Sequence, residues 1–173
     1  MTFTPTPWDR DKLASEPLHL PITPAHYLAI GRVAATWTVV EGFAQRLIWA
    51  ALGLNETDGK LLTAAVRLET HLTVIKATAR IGRMTTEQAK EADWFATEAV
   101  RLLARRNTVV HAGWIPGESL HLPEAYTMRR KDGAKGEVFA AADVEAIADQ
   151  INQLARRGLV LLLELRGVLP ASP

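Results

Sequence analysis

Four stretches of the chain repeat apolar residues at three- and four-residue steps, the spacing that lays one face of a helix on a core. The first opens on Thr23-Pro24, a capping threonine followed by a proline at the first helical position. Ile30, Val33, Trp37, Val40, Ala44, Leu47, Ile48 and Ala51 follow and Gly53 closes the run, so a helix is predicted over 24–53. Asn55 to Gly59 reads as a loop rich in caps. Leu61, Leu62, Ala65, Leu68, Leu72, Ile75 and Ala79 then predict a second helix over 58–82. Thr85 and Gln88, three apart, make a capping box for a third helix over 86–111, with Ala92, Phe95, Ala96, Ala99, Leu103 and Val110 on one side. Val144, Ile147, Ile151, Leu154, Val160, Leu161 and Leu165 predict a fourth from Asp143, or a turn earlier, to 167, with Gly158 as a bend.

Two segments depart from that period. Residues 1–22 carry Pro5, Pro7, Pro17 and Pro21 and few periodic apolar positions, which predicts an extended arm docked by Trp8, Leu18 and Leu20. Between 119 and 138, Leu120, Leu122, Tyr126, Met128 and Val138 flank a glycine-rich turn, the pattern of a short hairpin. Its tip carries Arg129, Arg130, Lys131 and Lys135, either a solvated tip or a contact for RNA or a partner protein. The expected fold is all-α in the main: a four-helix up-and-down bundle with a small β-hairpin between the third and fourth helices. The arm (1–22) and a tail (170–173) flank one helical domain over 23–169.

Composition narrows this picture modestly. The chain has 173 residues, 48% hydrophobic and 23% charged, a balance that suits one globular domain with a proper core. A net charge of +1 neither demands nor excludes a nucleic-acid partner, so any RNA contact has to be local. No cysteine is present, which removes disulfides and thiolate metal sites. The most apolar run, Leu159 to Leu165, is far shorter than the roughly 20 residues that span a bilayer, and Met1 to Arg10 shows no signal pattern. A cytoplasmic protein without a membrane partner is expected. That run is apolar all round except Glu164, more than one bundle face needs, so the arm or another chain is expected to cover it.

The chemistry concentrates in Arg106-Asn107-Thr108-Val109-Val110-His111, where the helical pattern otherwise asks for core. Arginine supplies a permanent planar cation suited to phosphate oxygens, and histidine gives and takes a proton near neutral pH. Five residues at about 100° each put Arg106 and His111 roughly 140° apart on an ideal helix. They therefore meet only through a distorted helix or across a two-fold axis. Asn107, four before His111, shares its face and can hold the ring or a phosphate oxygen. Glu41 falls on the apolar stripe of the first helix, either at its edge reaching water or, across the bundle, pairing with Arg106 or orienting His111. His71 on the second helix is a reserve candidate beside a plainer surface or capping role. Arg67, Lys76, Arg80 and Arg83 give that helix a basic face, solvated or a phosphate track. His19, His26, His71, His111 and His121 show no metal-ligand spacing, and no phosphate-binding glycine loop occurs, so neither metal nor cofactor is expected.

Arg106-Asn107-x-x-x-His111 resembles the Arg-x4-His motif of the HEPN superfamily, with the polar residue that often follows the arginine. As a helical layout the resemblance covers roughly residues 24–167; its specific part is the ten residues Arg105–Trp114. It implies an all-helical bundle, usually dimeric, and in many members a metal-independent endoribonuclease of toxin–antitoxin or anti-phage systems. On that reading His111 is the general acid/base, Arg106 the phosphorane clamp, Asn107 a positioning group and Glu41 the residue that orients Arg106. RNA, a second copy of the chain and a cognate antitoxin or other partner protein are then the expected partners. The competing expectation is a non-catalytic helical module that assembles with a partner, in which Arg106 and Glu41 form a structural ion pair.

Overall fold

Thr23 starts the first helix, α1 (Pro24–Leu52), and the cap is reciprocal: its hydroxyl accepts the His26 amide while its own amide donates to His26 Nδ1. Gly53 ends the helix at φ 68°, a left-handed turn that favours glycine. The computed structural model describes residues 22–116, 123–129 and 133–170. The arm expected over 1–22 and the end of the tail thus lie almost wholly outside the described residues. After α1 come α2 (Glu56–Thr63), α3 (Leu68–Arg80), α4 (Thr86–His111), strands β1 (Gly113–Pro116), β2 (Pro123–Arg129) and β3 (Gly133–Val138), and α5 (Ala141–Leu165). The described chain is mainly helical, and none of its helices is long and apolar enough to cross a membrane.

The helix expected over 58–82 is two helices, parted at residues 64–67. Gly59 and Thr63 explain the break. A Cβ at Gly59 would sit 2.5 Å from the Trp49 ring, so α2 lies directly on that indole. Thr63 Oγ1 accepts the Trp49 Nε1 proton at 3.2 Å and donates to the Gly59 carbonyl. The helix docks by this glycine–threonine face, and Leu61 and Leu62, which the periodicity assigns to core, stand 85% and 55% exposed.

Helix directions follow from the pairs they hold. Arg32 of α1 reaches Glu145 and Asp149 near the start of α5, and Phe43 lies beside Gly158 further along both, so α1 and α5 run parallel. Arg157 to Glu91 and Arg101 to Gln150 set α4 antiparallel to α5. Lys76 meets Asp93 and Thr97, and a short turn joins α3 to α4 as an antiparallel pair. The strict up-and-down order expected for four helices is therefore not what is observed. The split second helix adds a reversal, which leaves the first and last helices parallel. Their buried faces, with Val33, Trp37, Val40, Leu72, Ile75, Phe95, Leu102, Ile147, Ile151 and Leu154, make one core.

The strands form one antiparallel sheet in the order β1-β2-β3, registered by Trp114 opposite Ala125 and by Glu124 opposite Val138. The hairpin expected over 119–138 thus gains a strand, because the chain leaves α4 in extended backbone at Ala112 and pairs at once. Trp114, Ala125 and Phe139 are buried where the sheet closes the end of the helices. His26 ties this joint. Nδ1 accepts from Thr23, so the ring proton sits on Nε2 and is donated to the Phe139 carbonyl at 3.1 Å, while the ring meets Trp114 edge-on.

Candidate functional site

α4 carries the predicted motif at its last turn and a half. Its capping box, Thr85 with Gln88, fixes the start, and buried Ala92, Phe95, Ala96, Ala99, Leu102 and Val109 fix its rotation about its axis. With Val109 inward, Asn107 and His111 face outward and Arg106 lies half-buried at the side. The helix runs unbroken to His111, so a break in the helix, one of the two routes by which Arg106 and His111 could meet, is not what is observed.

Arg106, Asn107 and His111 nevertheless come together within one chain. Nη1 of Arg106 donates to Asn107 Oδ1 at 3.0 Å and also contacts His111 Nε2. The length of the arginine side chain closes the angular gap that the backbone leaves. Because a guanidinium has donors only, His111 Nε2 is the acceptor in that contact, and its lone pair is occupied. Arg106 Nε is buried with no hydrogen-bond partner among the described residues. One side of the guanidinium thus keeps a donor in reserve, which is costly for a group enclosed by protein.

Glu41 does not orient Arg106. Its carboxylate accepts the Trp37 Nε1 proton at 2.9 Å, and no ion pair joins it to Arg106 among the described residues. The reason is local: Trp37 and Glu41 are four apart on one helix face, and a buried indole N–H needs an acceptor. The same carboxylate reaches His71 electrostatically. His71 is 3% exposed, not the surface residue its lone position suggests. Burial holds its ring below the ordinary value of 6.5, against the opposing pull of a Thr63 backbone bond and the Glu41 charge, and its Nε2 has no hydrogen-bond partner among the described residues. The Trp37–Glu41–His71 group was legible only in part: the four-residue spacing flags the first pair, and nothing in the sequence aligns His71 with them.

The basic hairpin tip is only partly described. Arg130 and Lys131 lie outside the described residues, as do the side chains of Arg129 and Lys135, whose backbones pair opposite Gly133 and Thr127. Two cavities flank the other end of α4. One of about 250 Å³, between α4 and α5, is lined by Glu87, Glu91, Glu164, Val160 and Arg157, whose guanidinium stacks 3.3 Å over Trp94. The other, about 550 Å³ and more open, lies between α3 and α4 among Lys76, Arg80, Lys90 and Asp93. Neither is lined by Arg106 or His111. Comparisons with protein-family models, with curated proteins and with solved structures return no match to this chain.

Proposed function

We propose that the chain is a metal-independent endoribonuclease of HEPN type that works as a homodimer, on a frame in which α1, α3, α4 and α5 serve as the four helices of the bundle. The observation that carries the reading is the convergence of Arg106, Asn107 and His111 at one exposed helix end. Arriving RNA offers a phosphate oxygen to the exposed Nη end of the Arg106 guanidinium, which already donates to Asn107 there. The guanidinium then leaves His111, and Nε2 is free to take the proton of a ribose 2′-hydroxyl. The 2′-oxygen attacks phosphorus, Arg106 stabilises the charge that builds on the phosphorane, and Asn107 holds a non-bridging oxygen or the ring. The protonated ring returns its proton to the leaving 5′-oxygen, which gives a 2′,3′-cyclic phosphate and a 5′-hydroxyl. A second protomer supplies a further wall of the site, and the tip residues Arg129, Arg130, Lys131 and Lys135 grip RNA beyond the cut. A role as a toxin or anti-phage component, silenced by a cognate protein, belongs to the same reading.

The test is cleavage of total RNA in excess EDTA by the wild type and by His111→Ala. EDTA-resistant cleavage that leaves cyclic phosphate ends and falls at least ~100-fold in the variant supports the reading, since a placed histidine contributes roughly 10²–10⁴ to the rate. Cleavage that the variant retains, or none from the wild type, refutes it. The second reading, a non-catalytic partner-binding module, is favoured by one observation, the exposed Leu61 and Leu62 of α2. An apolar pair of this kind on a docked helix suits a protein partner.

A further inference from the structure

The cavity between α3 and α4 has no part in the chemistry above, yet it shares a helix face with it. Lys90, Thr97, Ala104 and His111 follow at seven-residue steps on the exposed side of α4. Each step drifts only about 20°, so the four lie along one shallow stripe about 32 Å long. Lys76 of α3 joins this stripe by donating to Thr97 Oγ1 at 2.8 Å. At its far end the cavity gathers Lys76, Arg80 and Lys90 against one carboxylate, Asp93. Arg80 has no carboxylate partner among the described residues. Lys76 and Lys90 do have partners, Asp93 at 3.7 Å and Glu87 at 2.7 Å, but Lys76 is about a third exposed and the other three side chains more so. Exposed pairs of this kind contribute little, so a phosphate can replace a carboxylate at small cost.

The opposite flank of the same helix turns has the reverse sign. Glu87, Glu91 and Glu164 line the cavity on the α5 side together with Arg157, and Glu87 also accepts from Lys90 across the edge of the helix. A polyanion meeting this end of the molecule is turned away from the α5 side and drawn to the α3 side.

We propose that the α3–α4 cavity is a remote binding subsite for the phosphodiester backbone of single-stranded RNA, reached along the outer face of α4 by the same strand whose cleaved phosphate sits at Arg106 and His111. This deepens the nuclease reading and rests on it. At about 3.4 Å per stacked nucleotide, 32 Å corresponds to about nine nucleotides. Short substrates reach the cleavage site alone, and longer ones engage both ends.

The test uses the full chain carrying His111→Ala, so that RNA is bound and not cut, and a labelled oligouridylate of about 15 nucleotides beside one of about 5. Into that background go Lys76→Gln, Arg80→Gln and Lys90→Gln together, with Arg156→Gln, an exposed cation outside the cavity, as control. Three phosphate contacts at about 0.7 each predict that the slope of log K against log salt for the long oligomer falls by about 2, with affinity at ~0.1 M salt on the order of 100-fold weaker. The short oligomer should show no such change in slope. All three residues lie on the surface, and a circular dichroism melt verifies that the variant is folded. An unchanged slope for the long oligomer, or equal losses for long and short, overturns the subsite. So does polyglutamate of matching length binding the cavity as tightly as RNA, which would point to an acidic protein. The two readings fail separately: binding with the expected slope change but no cleavage by the unmutated chain keeps the subsite and sinks the nuclease. Cleavage with an unchanged slope does the opposite.

Discussion

Replacing Gly158 by alanine adds one methyl to the middle of α5, where helix propensity alone favours the change by about 0.8–1.0 kcal/mol. The packing opposes it. The new Cβ would lie 2.7 Å from Cε2 and 3.3 Å from Cδ2 of Phe95, with Phe43 Cβ at 3.5 Å. Carbon atoms rest at about 3.5–4.0 Å, so the ring must retreat by roughly 0.8 Å or more. Phe95 is wholly buried and has no free direction to take. Overpacking of this sort costs about 1–3 kcal/mol, and an overlap this deep belongs in the upper half of that range. The net expectation is a loss of about 1–2 kcal/mol, or a Tm lower by about 2–8 °C for a chain of this length. Gly31 is the internal control. It lies in α1 with nothing within 4 Å of its Cβ position, so Gly31→Ala should raise Tm by about 2–4 °C. Thermal melts of both variants, with urea unfolding alongside, read the two signs directly. Phe95→Leu sharpens the comparison: adding it to Gly158→Ala should cost less than the two single losses summed. If Gly158→Ala stabilised the protein as Gly31→Ala does, or if the double variant were additive, the close approach of α5 to α4 would be refuted.

Two further predictions concern buried histidines. For His71, burial lowers the folded-state value below 6.5, so between the two values the folded chain binds fewer protons than the unfolded one. Its contribution to stability is therefore whole above about pH 6.5 and declines as pH falls below that, by up to ~1.4 kcal/mol per unit. Urea midpoints at pH 7.5 and 5.5 should show a smaller acid loss in His71→Gln than in the wild type, and equal losses would discard the assignment. His26→Leu keeps the volume but leaves the Phe139 carbonyl and the start of α1 without their shared partner. An unsatisfied buried acceptor costs about 1–3 kcal/mol, so Tm should fall by roughly 2–12 °C. A change under ~1 °C in a melt followed by Trp fluorescence would mean that the sheet is held to the helices by other contacts.

The long helices were legible in the sequence because their signals are local. Thr23-Pro24, Gly53 and Thr85 with Gln88 each act within one turn, and the ends of α1, α4 and α5 fall within two residues of where these signals put them. The second helix was misread because periodicity counts leucines and not docking surfaces. Leu61 and Leu62 keep the period, but the contact belongs to Gly59 against a tryptophan ten residues upstream, which no spacing rule sees. Gly158 was misjudged for the same reason: in sequence it reads as a bend, in space it admits a phenylalanine ring. At the candidate site, 140° of helix separated the two backbones, and the missing quantity was the reach of an arginine side chain, which no wheel projection represents. Glu41 shows the converse. Its periodicity was correct, but the nearer donor, Trp37, claimed the carboxylate.

Net charge was the least informative quantity, and the first two turns of α4 show why. Glu87 and Glu91 lie toward α5, and Lys90 lies toward α3, where Lys76 and Arg80 join it. Summed, these charges nearly cancel, as they do over the whole chain at +1. They are not superposed, however. A helix with its side chains is about 10–12 Å across, and at physiological salt the screening length is about 8 Å. Lys90 and Glu87, 2.7 Å apart, mark the seam where the two flanks meet, and a ligand well to one side of that seam senses mainly the charges of its own flank. Two surfaces of opposite sign can sit side by side on one helix with only partial mutual cancellation. For a protein of this kind the total says nothing of whether a polyanion binds. The helical phase of each charged residue decides it, and that phase is fixed by the apolar residues that turn α4 toward the core.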